Sequence, residues 1–219
     1  MKNTSLIVYL IRECTNRECE FRFPAPEDSG IGINCPKCKS ITNIIREIVL
    51  NPDLKETINH VFPINNLEVV LDNVRSSFNV GAIFRSSDGA GISKIHLCGI
   101  CPSPLNIKVH KTALGSELSV PYEIHNNALK LIRDQKKLGK RIWALEKTNT
   151  SISIEQYKLC KTDPSTVLVV GNEISGIDPD ILAICDEQIH IPMSGIKGSL
   201  NVAIAFGIAI YNLLDFSSY

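Results

Sequence analysis

Four cysteines and three short polar blocks hold the residue types that could do chemistry in this chain. Cys14 and Cys19 have four residues between them, Cys35 and Cys38 have two, and a stretch containing proline and glycine separates the pairs. Thiolates are soft ligands, and four of them arranged tetrahedrally close a structural zinc site with no position left open for catalysis. Such a site stabilises rather than reacts. A module of about fifty residues buries little apolar surface by itself, so metal binding would supply part of its folding free energy. The competing reading, four unconnected buried thiols, leaves the paired spacing unexplained. Cys98 and Cys101 are also close in sequence but have no second pair nearby, and they are read as structural, as are Cys160 and Cys185.

The first block runs from Asp72 to Arg85 and contains Asn79, Gly81, Ala82 and Arg85 between a strand pattern and a helix pattern. Helix N-termini present unpaired N–H groups and a partial positive charge, so this loop can hold an anionic group such as a phosphate. Asn79 and Arg85 are six residues apart, close to two helical turns, so both are expected towards one face. A lone arginine in such a place is otherwise a surface or salt-bridge residue. The second block, Val167 to Ile177, is an apolar strand ending in the loop Gly171-Asn172-Glu173, where open α/β sheets place ligands. It has neither the lysine of a P-loop nor the glycine pattern of a dinucleotide fold. The third block, Ile191 to Ala203, is a glycine-containing loop carrying Ser199, Leu200 and Asn201 into a long apolar run. Ser199 could be no more than the N-cap of that helix.

The elements that must position these blocks follow from patterning. Strands are expected near Leu6–Ile11, Leu67–Asp72, Lys94–Cys98, Val120–His125, Arg141–Leu145, Thr166–Val170 and Gln188–Ile191. Helices are expected over Asn79–Gly89 and Ala128–Leu138, after Asp178-Pro179, and from Leu200. Short, β-branched, often wholly apolar strands separated by helices predict an α/β domain with a mainly parallel sheet covered on both faces. The division expected is a cysteine module at 1–50, a linker at 51–66 and the α/β domain at 67–219.

Composition bounds the partners. With 23 basic and 23 acidic residues the formal charge is zero, so any contact with nucleic acid must come from local patches. Lys130, Arg133, Lys136, Lys137, Lys140 and Arg141 form one such stretch, for which a solvated helix face is the simpler account; Lys108, His110 and Lys111 precede another turn. Arg12, Arg17, Arg22, Lys37 and Lys39 would let the cysteine module bind nucleic acid, although it could equally serve dimerisation or stability. The apolar runs at Leu6–Ile11 and Leu200–Leu214 are short of the roughly 20 residues that span a bilayer, so no membrane association is expected. Absence of an export signal, with cysteines in metal-ligand spacing, points to a reducing, cytoplasmic setting.

Taken together and in order, N-x-G-A-x-x-R at Asn79–Arg85, G-N-E-x-x-G at Gly171–Gly176 and I-P-M-x-G-x-x-x-S-L-N-V-A at Ile191–Ala203 resemble the three motifs of SpoU/TrmH RNA methyltransferases. The resemblance covers Leu67 onwards and leaves the cysteine module, similar to a zinc ribbon, unaccounted for. It implies the SPOUT fold, a parallel α/β sheet whose C-terminal part is threaded as a trefoil knot, working as a homodimer. It implies S-adenosylmethionine held by backbone groups at Gly171, Ile191 and Leu200, and methylation of a ribose 2'-hydroxyl in tRNA or rRNA. By the same resemblance Arg85, Asn79, Ser199 and Asn201 carry the chemistry, with Glu173 shaping the site. Arginine, whose pKa exceeds about 12, is a poor base. Arg85 is therefore read as gripping the RNA phosphate and lowering the hydroxyl's pKa, with the proton acceptor left open. The rival readings are a non-catalytic RNA-binding protein that uses its zinc module, and a SPOUT enzyme that methylates a base.

Overall fold

The computed structural model describes residues 7–50, 65–160, 163–214 and 216. The chain divides into two compact units, Met1–His60 and Val61–Tyr219. Most of the expected linker lies outside the described residues; the first strand of the second unit opens at Asn65, two residues before the expected Leu67.

The first unit is an antiparallel sheet of β1 (Ile7–Cys14), β2 (Arg22–Pro26) and β3 (Thr42–Leu50), in the order β2-β1-β3. β1 runs on past the expected Ile11 as far as Cys14, so the first cysteine sits where the strand turns. Among the unit's described residues the buried apolar side chains are Leu10, Ala25, Cys14 and Cys35. Two of those four are thiols, which makes the cysteine cluster a large part of what this small core contains.

The second unit alternates strands and helices: β4 (Asn65–Asp72), α1 (Ser77–Ala90), β5 (Ile92–Cys98), α2 (Ile107–Ala113), β6 (Tyr122–His125), α3 (Ala128–Lys137), β7 (Arg141–Leu145), β8 (Ile152–Ser153), β9 (Thr166–Val170), α4 (Pro179–Leu182), β10 (Glu187–His190) and α5 (Val202–Leu213). All seven strands run parallel in the order β6-β5-β4-β9-β7-β10-β8. Helix α2 and the two-residue β8 were not evident from patterning, both being too short to show a period.

Because successive side chains of a strand point to opposite faces, the all-apolar strands feed two cores. Leu67, Val69, Leu71, Trp143, Leu168 and Val170 pack with Ile83, Phe84, Phe206 and Ile210 from α1 and α5. Val70, Ile142, Ala144, Val167 and Val169 pack with Leu131, Ile132 and Ile181 from α3 and α4. This is the three-layer arrangement the sequence implied.

Caps fix the helices that matter most. Ser76 opens α1 by accepting from the Asn79 N–H at 3.4 Å, and Gly91, at φ 66°, closes it. Asn201, rather than Ser199, caps α5, accepting from the N–H groups of Ala203 at 2.9 Å and Ile204 at 3.4 Å. The amide two residues nearer the helix takes the cap, and Ser199 is exposed, with no hydrogen bond among the described residues.

Candidate functional site

Strands β7, β9 and β10 end side by side, and their carboxyl ends open into a cavity of about 310 Å³. It is walled by Leu145–Lys147 after β7, by Val170–Ile174 and Gly176 after β9, by His190, Ile191 and Met193 after β10, and by Gly198–Val202 and Ala205 at the entrance to α5. The expected cofactor residues Gly171, Ile191 and Leu200 therefore share one wall system, and Glu173, Ser199 and Asn201 line the same space.

A relay of side chains ties the three blocks together. Glu173 Oε1 accepts from the Ser76 N–H at 2.9 Å and from Asn79 Nδ2 at 2.9 Å, while its Oε2 accepts from the Arg75 N–H at 3.0 Å. Asn201 Nδ2 donates to Asn79 Oδ1 at 3.1 Å. Both amide orientations are fixed from the ends: a carboxylate only accepts, so Asn79 must offer it NH2, and Asn201 must offer its oxygen to the helix N–H groups. Burial pushes the Glu173 carboxyl up, but the Arg75 and Ser76 N–H groups and the Asn79 amide outweigh it, and the net shift is downward.

This changes the reading of the first block. The anion at the opening of α1 is the protein's own Glu173 carboxylate, so that loop serves as a clamp rather than a free phosphate site. Arg85 is exposed and makes no hydrogen bond or ion pair with the described residues, and it is not part of the cavity wall. Six residues at about 100° each leave Asn79 and Arg85 about 120° apart around the helix, so they do not share a face. Asn79 turns inward to Glu173 and Asn201; Arg85 is presented to solvent.

The glycines have their own constraints. A Cβ on Gly171 would meet the Gly176 carbonyl carbon at 2.3 Å, because Asn172 and Gly176 exchange backbone hydrogen bonds of 3.0 Å across a tight loop. Gly176, at φ 71°, would drive a Cβ to 2.6 Å from Glu146 Oε2. Close approach of backbone thus already requires glycine at 171, and the left-handed backbone favours it at 176, where the Glu146 side chain could move aside. Gly81 would meet Thr112 Cβ at 2.6 Å and the Val109 carbonyl at 2.7 Å, which is where α2 crosses α1.

Three supporting residues had no role assigned from sequence. Asp72, almost fully buried, accepts from the Asp178 N–H at 3.0 Å and so joins the first block to the loop before α4. Asn172 donates to the Asn73 carbonyl at 2.7 Å and accepts from the N–H groups of Ile174 and Ser175. Glu146 accepts from the Ile177 N–H at 3.3 Å. The asparagine within G-N-E was the available signal, since its side chain commonly closes a turn; the two acids pair over long separations and gave none.

In the first unit the two cysteine turns face each other, closed by Glu20 and Lys39 at φ 47° and 67°. Cys14 and Cys38 Sγ atoms lie 3.3 Å apart, Cys19 and Cys35 Sγ atoms 3.7 Å, and all four fall within 4.8 Å of one another. These separations are too long for a disulfide. They match the edge of about 3.8 Å that four sulfurs make around an ion bound at about 2.3 Å. Cys98 is buried and Cys101 Sγ meets the Leu71 carbonyl at 3.2 Å, a packing role as expected. Cys185 is half-buried and Cys160 exposed.

The basic stretch is largely paired within the fold. Lys136 binds Asp186 at 2.7 Å, Lys137 binds Asp134 at 2.9 Å, Lys140 pairs with Glu68, and Arg141 reaches Asp163 at 3.5 Å and stacks over Trp143. His110 is bonded to Glu117. Lys130 and Arg133 remain exposed.

An all-parallel, three-layer domain with a loop-walled cavity at the strands' carboxyl ends defines an α/β ligand-binding protein. Comparison with known proteins narrows the class: the SpoU rRNA Methylase family profile matches residues 66–211, and the chain belongs to that family. It is 34% identical over 146 residues, 67% of each chain, to a tRNA (guanosine(18)-2'-O)-methyltransferase of Aquifex aeolicus. It is 30% identical over 213 residues to a 23S rRNA (guanosine-2'-O-)-methyltransferase of Blochmanniella floridana, covering 95% of this chain and 78% of that one. Among solved structures, the TrmH/SpoU tRNA modifying enzyme of A. aeolicus superposes with a TM-score of 0.60 at 32% identity, over 68% of this chain and 73% of that one. An AdoMet-bound rRNA methyltransferase of Sinorhizobium meliloti gives 0.62 at 30% identity, but the match spans 67% of this chain and only 54% of that one.

Proposed function

We propose that this chain transfers a methyl group from S-adenosylmethionine to a ribose 2'-hydroxyl of tRNA or rRNA. The observation that carries the reading is the cavity walled by the second and third blocks, to which the first is tied by the hydrogen bonds of Asn79 with Glu173 and Asn201. Gly171, Ile191 and Leu200 would hold the cofactor, whose sulfonium supplies an already activated methyl group. The protein's task is then alignment and activation of a weakly acidic hydroxyl. The Glu173–Asn79–Asn201 relay positions the loops, and Ser199, which lines the cavity and does not cap α5, would face the acceptor. Glu173 has its oxygens engaged and its basicity lowered, which argues against it as proton acceptor. Arg85, exposed and without a hydrogen bond or ion pair among the described residues, is the group available to grip a phosphate and stabilise the developing alkoxide.

The reading includes threading of the C-terminal part as a trefoil knot. The strand order supports it, β9 lying between β4 and β7 with the chain then passing to β10 beyond β7. It includes a homodimer, supported by Ile204, Ile208 and Tyr211, an exposed apolar stripe at helical spacing on α5. It includes one structural zinc at Cys14, Cys19, Cys35 and Cys38, supported by the sulfur separations, and a reducing, cytoplasmic setting, supported by thiols held apart. Incubating the protein with methyl-labelled cofactor and total tRNA or rRNA, followed by nucleoside mass spectrometry, is expected to yield a 2'-O-methylated nucleoside. A methylated base, or no product together with no cofactor binding by calorimetry, would replace this reading with one of its rivals.

A further inference from the structure

One cluster of side chains has no part in that chemistry. It lies on β5 and β6, at the edge of the sheet away from the strands that open into the cavity. His96 Nδ1 is 3.0 Å from His125 Nε2 and 3.7 Å from Glu123 Oε2, and His125 Nε2 is 3.5 Å from the same oxygen. We propose that these three atoms bind one borderline transition-metal ion, zinc being the natural occupant.

Three ligand atoms of a tetrahedral site with bonds of about 2.0–2.1 Å lie about 3.4 Å apart, and the observed triangle brackets that value. Each inner ligand is also oriented from behind. Glu68 Oε2 takes the proton on His96 Nε2 at 2.9 Å, which leaves Nδ1 a lone pair directed at the other two ligands, the usual support for a metal-binding imidazole. Lys94 holds the second oxygen of Glu123 at 2.9 Å, aiming Oε2 inward. Binding needs only that His125 carry its proton on Nδ1, a tautomer change with no net charge. The His96 side chain is 2% exposed, His125 26% and Glu123 51%, so the site is anchored at one end and open at the other, with room for a water as fourth ligand.

Charge points to the kind of ion. Glu68 and Glu123 are balanced by Lys140 and Lys94, so no excess negative field draws a hard cation, and two imidazoles favour zinc, cobalt or nickel over magnesium or calcium. The ion would staple the four-residue edge strand β6 to β5.

The full chain, stripped by chelation and titrated with micromolar Co2+ in millimolar Mg2+, separates this site from the cysteines spectroscopically. Cysteine coordination gives intense thiolate charge transfer, whereas this site gives weak d–d bands alone. A Cys35→Ser background is expected to retain those bands saturating at one equivalent, and adding His125→Ala or Glu123→Ala, both at partly exposed positions, is expected to abolish them. Absence of such bands in Cys35→Ser, bands that grow only with excess cobalt, or bands unchanged by His125→Ala would overturn the proposal.

Discussion

Glu173 is the residue on which the blocks converge, because it alone accepts from two backbone N–H groups and the Asn79 amide. Glu173→Gln keeps the shape but puts an NH2 where an acceptor is needed, so a loss of about 1 kcal/mol of stability is expected from denaturant unfolding. Its folded pKa is lowered, so its contribution is full above the unfolded value, near 4.5, and fades as pH falls through the folded one. The stability gap between wild type and Glu173→Gln should accordingly close in acid and stay constant above pH 6. Arg85 offers the opposite case: exposed and without a hydrogen bond or ion pair among the described residues, it is expected to change at little cost to the fold. Arg85→Lys is expected to lower kcat/KM by about 100-fold, the scale of a lost transition-state donor, with unfolding and cofactor binding unchanged. Retention of most activity would remove the need for bidentate guanidinium contact.

At the scale of elements, the loop after β9 is shaped by its own close approach. Gly171→Ala places a Cβ against backbone rather than a flexible side chain, so it should cost about 1–3 kcal/mol and also weaken cofactor binding in calorimetry. A substitution that left both intact would show that the loop can open without penalty. Strands β4, β7 and β9 were legible because apolar residues on both faces can be satisfied only in a covered parallel sheet. The helix starts were less so. Ser199 and Asn201 are both good caps in sequence, and only the return of the chain onto Asn79 selects Asn201. Nor could spacing show that α2 presses on Gly81, a contact made by an element too short to predict.

At the scale of the molecule, the two compact units draw on different sources of stability. The parallel-sheet unit has two extensive apolar cores; the first unit centres on four thiols and two other buried apolar side chains. Cys35→Ser is expected to release one zinc per chain by elemental analysis and to melt the first unit while leaving the unfolding of the second unchanged. The same preparation with Ile208→Glu should sediment as a monomer if the α5 stripe meets its copy in a second chain, and as a dimer if another face does.

What the residue order by itself determined was the α/β class, the two-part organisation, the cysteine quartet and the three blocks, because periodicity, turn chemistry and ligand spacing are local properties. Family resemblance then joined those blocks to a reaction. Only the tertiary structure decided what each block does. Glu173 became the anion of the first block's helix, Asn201 took the cap from Ser199, and His96, His125 and Glu123 were brought together from two strands. Each depends on contacts between residues distant in the chain, and such contacts are set by packing, which no local spacing encodes.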